Sequence, residues 1–388
     1  MMTVRRVRAR ACTLTAGACL SALMASPAAA QQSAPPAADN PVLTFLKNTE
    51  LSGFVDTYYT YNFNTPGTSC ATVGNVAIFN SLHSFDVAHN SFSLNLAELA
   101  LEKKPTTESR GGFRIDLDYG STAAIVAGFD PGGITVYQNI QQAYVSYLTP
   151  TSAGALQFDF GKFTTPAGFE VIETKDNWNY SRGLLFTLAV PGYHMGLRAA
   201  YSPIDRVTVT GFLFNGWNNV VDNNGGKSVG GSVTGKPSAA LTIIQNYIGG
   251  PEIGGNNHDW RHLSDTILTY TVNPRVSVAL NYDWAKERTS QWQGIAAYLK
   301  YQPNAWFAVT PRYEYFKDRD GFATAVAQNV QELTLTAEFK HKDGVLMRVE
   351  YRGDRSNTPY FFKNSSEVVT HQHVLTVGWI YAFSSKMP

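Results

Sequence analysis

The sequence predicts an all-β fold, a transmembrane antiparallel β-barrel of about sixteen strands with short connections at one end and long ones at the other. Three observations predict it. Segments of about ten residues alternate apolar and polar side chains, the period of a strand that meets two different solvents. Aromatic residues make up 13% of the chain and charged residues only 16%, against about 25% charged in ordinary soluble domains. Yet mean hydropathy is −0.17, and beyond residue 30 no apolar run approaches the roughly eighteen residues a membrane helix needs. A barrel hides its hydrophobicity in alternation.

The chain opens on Arg5, Arg6, Arg8 and Arg10, an apolar segment from Ala11 to Met24 and small residues through Ala30. This reads as a cleaved secretory signal over residues 1–30. Its removal takes away four arginines and no acid, so the formal charge moves from +1 to −3, and no basic surface for nucleic acid is implied. Cys12 and Cys19 leave with the signal. Cys70 stays alone, so no disulfide can form within one mature chain. Residues 31–50 begin QQSAPPAADNPV and read as a Pro- and Ala-rich periplasmic linker with too little apolar surface to pack. The barrel is expected over residues 51–388.

Strands are expected to start near Leu51, Phe92, Gly112, Asn139, Ala155, His194, Val207, Ser228, Ala240, Arg261, Val276, Trp292, Ala305, Val330, Val345 and Thr370. The clearest show the pattern outright. Phe113, Ile115, Leu117 and Tyr119 oppose Arg114, Asp116 and Asp118; Val345, Met347, Val349 and Tyr351 oppose Arg348, Glu350 and Arg352. Leu333, Leu335, Ala337 and Phe339 oppose Glu332, Thr334, Thr336 and Glu338 in the same way. Three stretches are irregular. Pro311 lies mid-strand and is expected to mark a bulge. The apolar parity changes within Phe92–Glu102, which predicts a second bulge. Between Val207 and Phe214 both parities are apolar, so Phe212 and Phe214 point inward if Val207 and Val209 point outward.

Connections are expected to alternate. Short turns fall at 203–206, 273–275, 302–304 and 341–344, and long loops near 62–91, 120–138, 164–195, 250–261 and 353–368. A Greek-key sandwich has no reason to sort its connections this way, whereas an outer-membrane barrel does. An even strand count puts both termini in the periplasm. About sixteen strands also enclose a wet lumen, since about eight fill their own interior with side chains. Tyr58, Tyr59, Tyr61, Tyr282, Trp284, Trp379, Tyr381 and Phe383 are expected to form interface girdles.

The stretch Gly161–Gly196, GKFTTPAGFEVIETKDNWNYSRGLLFTLAVPGYHMG, is too long for a turn, and an ordered loop of roughly thirty residues is commonly functional. Its Glu170, Glu173, Lys175, Asp176 and Arg182 are candidates for a constriction. Inward charges on the wall, Arg114, Asp116, Asp118, Arg198, Arg312, Glu314, Arg348, Glu350 and Arg352, need water or one another. They can staple the wall as ion pairs, set a transverse field across a channel, or both. Trp178, Tyr180, Phe186 and Tyr193 are the candidates for a stacking track in a solute-selective alternative.

Other motifs carry less. Gly226-Lys227-Ser228 lacks the upstream glycine of a phosphate-binding loop, since position 221 is Val. Asp222-Asn223-Asn224-Gly225 is explained by turn preference. His371 and His373 share a face without a third zinc ligand. No metal or cofactor is expected, and no Ser, His and acid arrangement suggests an enzyme.

LSGFVDTYYTYNFN (51–64), NSFSLNLAELALEK (90–103), QAYVSYL (142–148), GKFTTPAGFEVIE (161–173), NWNYSRGLLF (177–186), PGYHMGLRAAY (191–201) and NGWNNVVDNNGGKS (215–228) resemble the OmpL-like β-barrel porins of the porin-2 type in Gram-negative bacteria. The similarity continues through ALNYDW (279–284), RYEYFKDRDG (312–321) and RVEYRGDRSN (348–357). The resemblance implies an outer-membrane pore for small hydrophilic solutes and ions, and it places the third long loop between the fifth and sixth strands, where general porins fold it into the lumen. Expected partners are outer-membrane lipid and lipopolysaccharide, with a homotrimer the assembly such pores often adopt. The alternatives are a channel selective for sugars or anions, a plugged structural barrel, or an outer-membrane enzyme.

Overall fold

Alternation becomes architecture because successive side chains of a strand point to opposite faces of its sheet. In the computed structural model, which describes residues 45, 48–132 and 135–386, the alternating segments pair into one closed cylinder. The expected signal and residues 31–44, 46 and 47 of the expected linker lie outside the described residues.

Sixteen strands form the wall. They are β1 (Glu50–Asn62), β4 (Ser91–Lys103), β5 (Gly111–Tyr119), β6 (Ile140–Pro150), β7 (Ala155–Thr164), β8 (Tyr193–Ile204), β9 (Val207–Phe214) and β10 (Ser228–Ser238), then β11 (Leu241–Pro251), β12 (Trp260–Asn273), β13 (Val276–Glu287), β14 (Ser290–Asn304), β15 (Phe307–Asp318), β16 (Gln328–Lys340), β17 (Val345–Ser356) and β20 (His371–Ser384). Each is antiparallel to its neighbours, and β20 returns to β1 with Ser52 opposite Ser384 and Asn62 opposite Val374. Closure leaves no edge. Two small hairpins, β2 (Ala71–Val73) with β3 (Val76–Ile78) and β18 (Phe361–Lys363) with β19 (Glu367–Val369), sit within the loops.

The two faces differ as the pattern requires. Along β16, Leu333 and Leu335 are 56% and 51% exposed on the outside, while Glu332, Thr334, Thr336 and Glu338 are buried inside. Such exposed apolar side chains recur around the cylinder, with Phe92, Val145, Phe160 and Trp379 among them. So much exposed apolar surface calls for a non-aqueous surround. No helix among the described residues is long and apolar enough to cross a membrane.

Connections at one end span residues 104–110, 151–154, 205–206, 239–240, 274–275, 305–306 and 341–344; at the other end they span 63–90, 120–139, 165–192, 215–227, 252–259, 288–289, 319–327 and 357–370. The sorting has one exception: residues 288–289 close a tight hairpin among the long loops, with Arg288 at φ 52°. Starts of the strands fall within two residues of those read from the sequence. The turn expected at 302–304 comes later, at 305–306, because the Asn304 carboxamide accepts from the amides of Trp306 (3.1 Å) and Phe307 (2.9 Å) and sets the turn there.

Two irregularities are as the sequence reads. Asp56 pairs with Leu96 and Thr57 with Leu94, so Asn95 is the extra residue of a bulge. Phe212 and Phe214 are buried inside. Two expectations are corrected. Pro311 marks no bulge: the ladder to β16 runs unbroken through the Pro311–Leu335 pair, and that to β14 resumes at Tyr301–Val309 in the register it held at Tyr298–Arg312. A missing donor costs a rung without forcing an extra residue. Tyr58 leaves the girdle, because it is buried inside with its hydroxyl donating to the Phe85 carbonyl at 3.2 Å.

Candidate functional site

The interior is organised by residues 165–192, the third long loop. Its neck is closed by the Thr165 amide donating to the Gly192 carbonyl at 3.1 Å. Beyond the neck the loop is held from within by Arg182. That guanidinium donates to the carbonyls of Val171 (3.1 Å), Tyr180 (2.6 Å) and Ile172 and to Thr174 Oγ1 (2.9 Å), and it stands 5.0 Å from the ring centroid of Phe85 in the first loop. Four loop acceptors on one side chain make the loop a folded object.

The wall then holds the loop by its backbone. Asp265 Oδ2 on β12 accepts from the Gly168 amide (3.2 Å), and Asn281 Oδ1 on β13 from Phe169 (2.9 Å). Glu350 takes the amides of Tyr180 (2.5 Å) and Ser181 (2.8 Å). Glu314 takes those of Leu184 and Leu185 where the short helix Leu184–Leu188 begins. The arginines serve the opposite sign: Arg312 donates to the Ser181 carbonyl (2.7 Å) and Glu170 Oε1 (2.6 Å), and Arg352 to the Arg182 carbonyl (2.6 Å). Arg348 reaches three carbonyls, those of Thr174 (2.7 Å), Asn179 (3.0 Å) and Asn177 (2.5 Å). Each arginine also pairs with a carboxylate on the wall: Arg312 with Glu332, Arg348 with Glu338, Arg352 with Asp354. These charges are satisfied by the loop and by one another rather than by water.

Of the residues singled out from the sequence, the structure brings Glu170, Arg182, Arg312, Glu314, Arg348, Glu350 and Arg352 into one buried network. None of these seven lines open water. Asp116 and Asp118 are buried beside Glu173 at the β4–β5 wall. Four charged groups keep contact with solvent: Lys175 and Asp176 on the loop, with side chains 29% and 54% exposed, and Arg114 and Arg198 on the far wall, at 29% and 24%. Arg198 pairs with Asp159 at 2.7 Å and lies 4.9 Å from the ring centroids of Tyr144 and Phe163.

The four aromatics do not line up. Tyr180 is fully buried, with its hydroxyl on Asp56 Oδ1 at 2.9 Å, and Tyr193 is buried with its hydroxyl on Asp130 at 3.1 Å. Trp178 packs edge-on against Phe169, and Phe186 edge-on against Phe85. A cavity of about 150 Å³ opens at the long-loop end, lined by Phe129, Phe186, Tyr193, Trp217 and Trp292 with Arg261 as its charged group.

Sequence reasoning passed over Asp56, Asn95 and Thr174. Asp56 Oδ2 accepts from Asn95 (2.6 Å) and Thr174 (2.7 Å), tying β1, β4 and the loop together. Inward parity marked Asp56 in LSGFVDTYYTYN; Asn95 alternates with the outward Phe92 and Leu94 and sits at the bulge, after which Leu96 and Glu98 also face inward.

A family model described as "Putative beta-barrel porin-2, OmpL-like" matches residues 48–383. No curated protein matches the chain in sequence. Among solved structures, OmpF of Salmonella typhi in complex with daunomycin aligns at TM-score 0.58 and 14% identity over 86% of this chain and 97% of that one. An anion-selective porin from Comamonas acidovorans aligns at 0.57 and 12%, over 86% and 99%. OmpT of Vibrio cholerae in its trimer form aligns at 0.55 and 11%, again over 86% and 99%. At such identities the likeness is one of fold.

Proposed function

Because the chain belongs to the family of OmpL-like β-barrel porins of the porin-2 type, we propose that it is a passive channel of the outer membrane for ions and small hydrophilic solutes. It acts as a channel and not as an enzyme. The observation that carries the reading is the uneven anchoring of the third loop's backbone. Its backbone is bonded to β11, β12, β13, β15 and β17 and its Glu173 side chain reaches Asp116 on β5, while Arg114 and Arg198 on β5 and β8 stay partly exposed on that wall. A route along that wall, past Lys175 and Asp176, is narrowed by the loop and charged on both sides, as a selectivity region requires.

Single-channel recording across a salt gradient tests this. Arg114→Glu with Arg198→Glu is expected to move the reversal potential toward cations, because two exposed positive groups become negative. An unchanged potential removes both residues from the route, and a folded barrel without conductance removes the channel.

A second reading is supported by the aromatic cavity at the long-loop end. Two of the four track residues, Phe186 and Tyr193, line it, so a solute with an apolar ring could stack there before entering. Saturable block of the current by small aromatic solutes, lost in Trp217→Ala, distinguishes this selective channel from a general one. The assembly proposed is a homotrimer, the form in which one structural relative is described; native mass spectrometry reads it directly.

A further inference from the structure

Where the third loop passes β4 and β5, carboxylates converge. Glu98 on β4, Asp116 on β5 and Glu173 on the loop each bring an oxygen within 4.8 Å of the others, and all three are buried. Asp118, 1% exposed, stands directly across from Glu98 in the β4–β5 ladder, and Glu173 and Asp116 are among the charges that act on it. The convergence follows from local geometry. Asp116 and Asp118 share the inward face of β5, and the bulge at Asn95 gives Glu98 its inward parity.

Three oxygens of this group are not used up by hydrogen bonds. Both carboxylate oxygens of Asp118 and Oε2 of Glu98 have no hydrogen-bond partner among the described residues. Two neighbouring lysines are engaged elsewhere: Lys162 donates to the Ile140 carbonyl at 2.6 Å and lies 4.1 Å from the Tyr193 ring centroid, and Lys175 pairs with Asp176 at 2.5 Å. Asp116 alone of the four is paired, since Arg114 donates to both its oxygens and Gln142 to Oδ2 at 2.5 Å. Ionised carboxylates this deep are strongly unfavourable without a compensating charge.

We propose that Glu98, Asp116, Asp118 and Glu173 bind one divalent cation of the calcium class, bridging the third loop to the β4–β5 wall. The donors are all hard carboxylate oxygens, which suit calcium and not a soft-ligand metal. Ligands on opposite sides of a calcium ion lie about 4.6–5.2 Å apart, twice a calcium–oxygen bond; Glu98, Asp116 and Glu173 each bring an oxygen within 4.8 Å of the others, inside that span, and Asp118 joins them from the rung opposite Glu98. Magnesium, which keeps several of its waters, is a poorer match for a dry cage of protein carboxylates. The ion holds the loop on the side that the arginines of β15 and β17 do not reach. Cation binding does not depend on conduction: a barrel that binds calcium and passes no current keeps the site and loses only the channel.

The test uses the full mature barrel folded in detergent, stripped with a chelator and titrated calorimetrically with calcium chloride and, separately, magnesium chloride. The expected result is one calcium per chain, weaker binding of magnesium, and a melting temperature that rises with calcium. Asp118→Asn, whose side chain makes no hydrogen bond to lose, is expected to fold, to weaken calcium at least tenfold and to abolish the thermal response. Glu98→Gln serves as the second variant under the same titration. Absence of saturable binding at about 10 mM calcium, above the range of weak protein calcium sites, overturns the site and leaves protons as the neutralising charge. Equal binding by the parent and either folded variant also overturns it, since the calcium then sits elsewhere.

Discussion

Arg348 is one of the wall side chains that hold the interior together. It crosses from β17 to three carbonyls of the loop segment 174–179 while keeping Glu338 at 2.7 Å. Arg348→Met leaves those carbonyls without donors inside a dry contact. The expected loss is about 3 kcal/mol of barrel stability in a denaturant titration, with noisier current and an unchanged reversal potential, since the residue is 1% exposed. His83, in the first loop, predicts a pH effect. Burial and the nearby Arg352 push its imidazole down, but Asp86 at 2.7 Å and Asp354 at 3.4 Å push it up further, so it is raised overall. A raised histidine adds stability that is complete below its unfolded value of about 6.5 and is lost as pH climbs through the folded one. Asp86 is lowered, because His83 and Arg352 outweigh burial, so its contribution is present above the ordinary carboxylate range and lost in acid. Protection factors of first-loop amides around 79–88, corrected for base-catalysed intrinsic exchange, are therefore expected to be lower at alkaline pH than near pH 6, and His83→Gln to flatten that dependence.

At the scale of elements, the bulge in β4 and the third loop decide what the wall presents. Deleting Asn95 removes the extra residue and turns either Glu98 and Leu96 outward or the preceding half of β4 inward, because strand parity is exactly two. Refolding yield, read as a heat-modifiable band on a gel, is expected to fall sharply, whereas Asn95→Ala keeps the register and costs its bonds to Asp56 and Thr122 and two longer ones to Thr174 and Tyr180, about 1–2 kcal/mol. Gly183 shows how closely loop and wall approach, since a Cβ there would collide with the Glu314 carboxylate. Gly183→Ala is expected to lift the helix Leu184–Leu188 from β15 and to raise single-channel conductance, with β content by circular dichroism unchanged; equal conductance means the loop does not limit the current.

For the whole molecule, closure is the condition on everything else. Every wall strand is paired on both sides, and an unpaired backbone group in hydrocarbon costs several kcal/mol. A chain ending at Ser356 lacks β20 and exposes edges on both β1 and β17. It is expected to give no heat-modifiable barrel at all, while reductant leaves the complete barrel unaffected, since Cys70 is the one cysteine beyond residue 30.

Strand number, the positions of strand starts, the inward set of charges and the bulge in β4 were all determined by the sequence itself, because alternation is a local property: each side chain's face is set by its neighbours two residues away. The role of those charges was not. Arg312, Arg348 and Arg352 have the same inward parity as Arg114 and Arg198, and alternation cannot tell a residue facing water from one facing a loop that returns across the lumen. Only the tertiary structure decided that, since Arg348 meets partners 169 to 174 positions away in the chain. The same holds for Asp56 and Thr174, which are 118 positions apart. Contacts of that separation depend on where a folded loop comes to rest, and that is set by the sum of its bonds to the wall and not by any period in the sequence.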